Sequence, residues 1–125
     1  MNKHIQARSV LALSAALGLL LAAFQAQAHA RLVGASPSPN STVGAPRQVT
    51  LHFSEAVVAR FSGFDLIKAG GGAVSVKTAV PPNDRKAVVG AISAPLVPGT
   101  YRVMWRAAAA DDGHRTNGGF TFTVR

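Results

Sequence analysis

The 125-residue sequence predicts an all-β domain built as a sandwich of two sheets. Several segments alternate apolar and polar residues with a period of two, which is typical of half-buried strands. Clusters of glycine, proline and asparagine separate these segments, and no stretch after residue 28 shows a helical period of convincing length. Seven short strands around one modest core indicate a seven-stranded β-sandwich.

The strand predictions run in chain order from residue 31 to the C-terminus. They cover residues 31–35, 47–54, 64–68, 73–78, 87–92, 100–106 and 120–124. The clearest is the second, in which Val49, Leu51 and Phe53 share one face and His52 lies on the other. We therefore expect His52 on the surface, and the large apolar side chains, including Trp105, in the core.

Residues 1–28 have the layout of a secretory signal. Lys3 and Arg8 precede an apolar run over residues 10–24, and Ala26-Gln27-Ala28 supplies a small-x-small cleavage site. The run is shorter than the roughly 20 residues that a membrane-spanning helix needs. We expect cleavage after Ala28, leaving residues 29–125 as a single exported domain without stable membrane insertion. The alternative is an uncleaved anchor or a cleavage site displaced by a few residues, either of which would leave His29 without a free α-amine.

Charge and cysteine content limit the function classes. Removing Lys3 and Arg8 from the 13 cationic side chains leaves 11 against five acidic ones, a net charge of about +6. The cations are scattered rather than clustered in a stripe, which argues against a nucleic-acid partner. We expect this positive charge to serve mainly to keep the protein soluble. The alternative is that it favours binding to an anionic membrane surface or to an acidic partner. The absence of cysteine excludes disulfides and thiolate metal sites.

Candidate metal ligands lie at the start of the exported chain and near its end. A free N-terminal His29 would offer its α-amine and its imidazole Nδ1 to one metal ion. Asp112 and His114 stand two apart around Gly113, so in an extended segment both side chains project to the same side. Three nitrogens and one oxygen suit tetragonal Cu(II), whereas Zn(II) takes the same ligand types but prefers a tetrahedron.

These residues resemble the periplasmic copper-binding proteins of the CopC family. The resembling segments, besides His29, are ASPSPNS at 35–41, VTLHFSEAV at 49–57, PLVPGTYRVMWRA at 95–107, DDGH at 111–114 and GGFTFTV at 118–124. The resemblance implies a Greek-key sandwich, cupredoxin-like or immunoglobulin-like, that holds one Cu(II) per chain through His29, Asp112 and His114. It also implies that Glu55 lies beside the site and orients a ligand or the N-terminus; an exposed carboxylate at a strand end is the alternative.

Two departures from the family pattern refine this expectation. Met104 is the only methionine after residue 28, whereas classical members carry a methionine-rich loop for Cu(I). Thioethers are the soft ligands that Cu(I) prefers, so the sequence predicts a protein specific for Cu(II). The adjacent Asp111 leaves open which carboxylate binds, and the spacing to His114 favours Asp112.

Three functions remain open at this point. The first, which we favour, is a monomeric periplasmic protein that sequesters Cu(II) or delivers it to a membrane copper transporter, a CopD-type partner by the family resemblance. The second is a copper monooxygenase that uses an N-terminal histidine brace, and the third is a structural sandwich without metal. No nucleophile constellation favours an enzyme, and the choice between resistance, uptake and delivery stays open.

Overall fold

The computed structural model describes residues 29–125, so the signal prediction for residues 1–28 lies outside the described residues. The described chain forms nine strands and one short 3₁₀ turn over Ala59–Phe61. The strands are β1 Leu32–Ser36, β2 Thr42–Val43, β3 Gln48–Phe53, β4 Gly63–Lys68, β5 Ala73–Val74, β6 Val76–Ala79, β7 Ala87–Ile92, β8 Gly99–Ala108 and β9 Arg115–Val124. Within this part of the chain, no helix has the length and apolarity needed to cross a membrane.

The strands form two sheets, which confirms the predicted β-sandwich. One sheet has the order β1-β3-β7-β6 and the other β2-β9-β8-β4-β5. Every pairing is antiparallel except that of β2 with β9. The Tyr101 hydroxyl, at the start of β8, donates a hydrogen bond of 2.7 Å to the carbonyl oxygen of Val97. Such a tyrosine corner is typical of immunoglobulin-like sandwiches.

The structure refines the strand predictions at three places. The segment 73–78 divides at Ser75, because β5 pairs with β4 in one sheet and β6 pairs with β7 in the other. β2 is too short to show an alternation in the sequence. β9 begins at Arg115 rather than at residue 120, since its backbone continues the ladder with β8 through the pair Trp105 and Gly118. A Cβ at Gly118 would lie 2.6 Å from the Trp105 ring, so any larger residue there would have to displace that ring.

The core fills the space between the two sheets, as the strand alternation predicted. Val49, Leu51 and Phe53 on β3 are almost completely buried, while His52 between them is exposed. The Phe53 ring meets the partly buried Trp105 ring edge-on, with centroids 5.4 Å apart. Together these inward-facing side chains hold the two sheets in a fixed relative position. The candidate ligands lie at one end of this sandwich, so the same packing sets their relative positions.

Candidate metal centre

The segment that carries His29 is anchored to both sheets. Ala30 is completely buried and belongs to the core. The Arg31 amide donates to Ser54 Oγ at 2.9 Å, and the Ser54 amide donates to the Arg31 carbonyl oxygen at 2.8 Å. From β9, the Thr116 hydroxyl donates to the Ala30 carbonyl oxygen at 2.8 Å. These contacts hold the backbone next to His29 at a defined position.

Asp112 and His114 lie in the turn that joins β8 to β9. The Gly113 amide donates to the Ala109 carbonyl oxygen at 2.9 Å, and Gly113 has a φ of +72°, which favours glycine. The His114 amide donates to Asp112 Oδ1 at 2.9 Å. The expectation of an extended segment was therefore wrong: a turn, closed by the Asp112 side chain, brings the two residues to the same side.

The structure brings the three predicted ligand residues together. One potential ligand atom from each of His29, Asp112 and His114 lies within 4.8 Å of the other two. The two imidazole rings have centroids 3.8 Å apart and planes inclined by 44°. His29 is half-buried, whereas Asp112 and His114 are exposed, so the group opens to solvent at the end of the sandwich.

One buried side-chain atom of this group lacks a hydrogen-bond partner among the described residues. His29 Nδ1 is buried and makes no hydrogen bond. A buried polar atom without a partner costs free energy, on the order of 1–3 kcal/mol, unless a ligand compensates it. Nδ1 is also the imidazole nitrogen that, together with a free α-amine on the same residue, can close a chelate ring. The donor set therefore fits a metal ion.

Local hydrogen bonding and charge favour the ionised form of Asp112. The hydrogen bond from the His114 amide is the main cause that lowers the pKa of Asp112 from its ordinary value of 3.8, and the charges of His114 and His29 add to it. The carboxylate is thus available as an anionic ligand at neutral pH.

The other two carboxylates near the N-terminus occupy a neighbouring cleft. Glu55 and Asp111 line a cleft of about 470 Å³ together with Lys86. Glu55 Oε2 is buried there without a hydrogen-bond partner among the described residues. Asp111 Oδ1 accepts a hydrogen bond of 2.7 Å from the Asp112 amide. Asp112, rather than Asp111, thus belongs to the group of three ligand atoms, and Glu55 lies outside that group.

Sequence reasoning missed the residues that hold the N-terminal segment. Ser54 and Thr116 each look like ordinary polar strand residues, and only Glu55 was singled out from the motif that contains Ser54. No periodicity marks a side chain whose partner is the backbone of a distant segment. His52 is exposed and lies outside the ligand group, in agreement with its predicted surface position. Met104 is exposed as well.

Comparison with known proteins places this arrangement in context. Residues 32–125 match the family model described as the CopC domain. The chain is 40% identical over 116 residues to copper resistance protein C of Pseudomonas syringae pv. tomato, covering 88% of this chain and 90% of that protein. It is 39% identical over 110 residues to copper resistance protein C of Escherichia coli, covering 82% and 86%. None of these names denotes an enzyme.

Solved structures show the same likeness. The crystal structure of PcoC, a methionine-rich copper resistance protein from Escherichia coli, matches with a TM-score of 0.71 and 38% identity over 78% of this chain and 100% of that one. The structure of CopC from Methylosinus trichosporium OB3b matches with a TM-score of 0.71 and 30% identity over 77% and 93%. The extent of the family match and the identities of these relatives show that the chain belongs to the CopC family of copper resistance proteins.

Proposed function

We propose that this protein, once cleaved before His29, is a periplasmic holder that binds one Cu(II) ion per chain. The α-amine and Nδ1 of His29, an imidazole nitrogen of His114 and a carboxylate oxygen of Asp112 are the ligands. The observation that carries the proposal is the convergence of these three residues within 4.8 Å, with His29 Nδ1 buried and unpartnered.

The chemistry of the donors favours Cu(II) over Cu(I) and Zn(II). The group contains nitrogen and oxygen donors, which suit the harder Cu(II). The one methionine of the described chain, Met104, pairs with Gly119 in the middle of the β8–β9 ladder, four residues along β8 from the end at which the ligand turn lies. For one set of N and O donors, Cu(II) also binds more tightly than Zn(II) in the usual affinity order. We therefore infer specificity for Cu(II) over Cu(I).

Glu55 acts beside the ligands rather than among them in this proposal. Its Oε2 is buried and without a partner, and Ser54, the preceding residue, donates from Oγ to the His29 carbonyl oxygen at 3.3 Å. A carboxylate in this position can accept a hydrogen bond from the α-amine or from a ligand imidazole, and so fix its orientation.

The exposure of Asp112 and His114 favours storage or delivery, because a partner can reach the bound ion. Asp112 would fill a coordination position that an oxygen-activating copper enzyme keeps open, and we infer no catalytic cycle. The relatives' names denote copper resistance. We propose that the protein, as a monomer, sequesters Cu(II) or passes it to a CopD-type membrane copper transporter.

The experiment is Cu(II) titration with electron paramagnetic resonance on two matched proteins. One begins at His29, confirmed by intact mass, and the other carries a single glycine before His29; circular dichroism checks that both fold. We expect the first to give one tetragonal spectrum with nitrogen couplings at one equivalent and the second to lose it. Weak, heterogeneous binding in both proteins would overturn the proposal. Oxygen consumption by the copper form that requires a polysaccharide substrate as well as a reductant would overturn the non-catalytic role.

A further inference from the structure

A cation–aromatic cluster lies next to the candidate metal centre. The guanidinium of Arg60 lies 4.7 Å from the centroid of the Phe61 ring, and the guanidinium of Arg115 lies 4.8 Å from the same centroid. Phe61 remains 40% exposed although it is large and apolar. We refer to Arg60, Phe61 and Arg115 as the RFR cluster.

The backbone holds the cluster in a fixed place. Phe61 ends the 3₁₀ turn, and its amide donates to the Val58 carbonyl oxygen at 3.1 Å. The Val58 amide in turn donates to the carbonyl oxygen of Ala108 at 2.9 Å, and Ala108 pairs with Arg115 across β8 and β9. The backbone of Ala108 thus holds the 3₁₀ turn and the start of β9 on either side of it, which brings Phe61 and the two arginines together.

The positive charge of the cluster is not neutralised within the domain. Between residues 29 and 125 the only arginine–carboxylate ion pair joins Arg106 to Asp65 at 3.6 Å. Arg60 and Arg115 are exposed and form no such pair. Two guanidiniums held against one ring repel each other, so an anion placed between or beside them would be stabilising.

The position of the cluster relative to the ligands is set by strand geometry. Arg115 directly follows His114 and begins β9, along which Thr116 and every second residue after it face the core. Arg115 thus lies on the outer side of the five-stranded sheet, a few ångströms along the backbone from a candidate ligand. Exposed Arg106 and Met104 continue this face along β8.

We propose that the RFR cluster is the centre of a docking face for a carboxylate-rich segment of a partner protein. Guanidiniums bind carboxylates in a planar, bidentate geometry, and arginine and aromatic side chains are enriched in protein interfaces. An anionic lipid surface attracts positive charge of any geometry and gives no reason for arginine stacked on an aromatic ring. The stacked arrangement therefore favours a protein partner over a membrane.

Docking at this face would bring the partner's carboxylates beside the candidate metal centre. A role of the docked segment in copper exchange rests on the proposed function. The docking itself does not depend on copper, so it is tested on the copper-free protein.

The probe is a short poly-glutamate peptide, titrated into the copper-free, ¹⁵N-labelled protein. We expect saturable shifts of the backbone amide signals of Arg60, Phe61 and Arg115 and of the guanidinium signals of the two arginines. Arg60→Gln and Arg115→Gln should each weaken peptide binding by roughly twofold to fivefold. Lys77→Gln, which removes an exposed cation from the other sheet, should leave binding unchanged. Arg60→Lys and Arg115→Lys, which keep the charge but lose the planar donor fork, should restore binding only in part.

Other outcomes would overturn the proposal. Shifts spread evenly over all cations, or equal losses in Lys77→Gln and Arg115→Gln, would mean that the peptide responds to net charge alone. Full rescue by lysine together with binding to phosphatidylglycerol vesicles, but not to phosphatidylcholine vesicles, would assign the face to membranes instead. Copper titration of the native chain separates the two ideas: normal Cu(II) loading by a native chain that does not bind the peptide overturns the docking face alone.

Discussion

The Thr116 hydroxyl donates a hydrogen bond of 2.8 Å to the carbonyl oxygen of Ala30. Ala30 directly follows one candidate ligand, His29, and Thr116 lies two residues after another, His114. This single contact thus joins the two segments on which the candidate metal centre is built. The distance between the two imidazoles depends on strand pairing as much as on the ligand side chains themselves.

Replacing Thr116 by valine tests this connection. Thr116→Val keeps the β-branched shape but leaves the Ala30 carbonyl oxygen without its donor, which costs about 1 kcal/mol of folding stability. We expect Cu(II) affinity to fall by about 10–100-fold, the usual range for loss of a residue that orients a metal ligand. The matched control is Thr123→Val on the same strand, whose hydroxyl shares its one hydrogen bond within residues 29–125 with the Thr100 hydroxyl at 3.4 Å. Equal affinities for the two variants, measured by competition with a chelator, would contradict this role.

Alanine substitutions of three histidines separate ligands from surface residues. His29→Ala and His114→Ala each remove an imidazole from the group, and we expect each to weaken Cu(II) binding more than Thr116→Val does. His52→Ala changes an exposed residue of β3 that lies outside the group, so its Cu(II) affinity should equal that of the native chain. Isothermal titration at one pH compares all three, and equal losses would contradict the ligand assignment.

Much of this arrangement was predictable from the sequence, for identifiable physical reasons. The alternation of Val49, Leu51 and Phe53 predicts a strand, because a half-buried strand buries every second side chain. All three side chains are buried in the core, which confirms the prediction. The ligand residues were predicted from donor chemistry and family resemblance, and the structure brings them within reach of one another.

Other features depend on contacts that the local sequence does not encode. The switch between sheets at Ser75 arises from the different partners of β5 and β6. The turn at Gly113 looked like an extended chelating pair, because spacing alone does not reveal that Asp112 accepts a hydrogen bond from the His114 amide. The stacking of Arg115 on Phe61 likewise requires the pairing of β8 with β9.

Asparagine substitutions decide which of the two adjacent acids is the ligand. Asp112→Asn keeps an oxygen that can accept the hydrogen bond from the His114 amide but removes the anionic ligand, so Cu(II) affinity should fall while the turn is preserved. Asp111→Asn keeps an acceptor for the Asp112 amide and removes a charge outside the ligand group, and should change affinity little. The reverse order of the two affinities would assign the metal to Asp111.

The pH dependence of binding distinguishes the α-amine from the carboxylate. The α-amine, with an ordinary pKa of about 7.7–8.0, must lose its proton to bind, so affinity should fall as the pH drops below about 8. The pKa of Asp112 is lowered below 3.8, so its carboxylate stays ionised across this range and its contribution is lost only as the pH falls through that lowered value. Affinity measured between about pH 5 and pH 8 should therefore decline steadily towards acid. A flat profile would contradict binding through the α-amine.

A pair of glycine substitutions tests the packing between the sheets. A Cβ at Gly90 would overlap the ring of Phe64 and lie 2.6 Å from Val76 Cγ1, whereas a Cβ at Gly44 would meet nothing within 4 Å. We expect Gly90→Ala to lower the free energy of unfolding by about 1–3 kcal/mol, the usual cost of overpacking a core. Gly44→Ala should change the free energy of unfolding by no more than about 0.5 kcal/mol, as exposed substitutions generally do.

Urea denaturation followed by tryptophan fluorescence measures the unfolding of both variants. Trp105 reports on the core because it packs against Phe53. Equal midpoints for the two variants would show that β7 yields to the added methyl group, and that the contact of Gly90 with Phe64 does not set the spacing of the sheets.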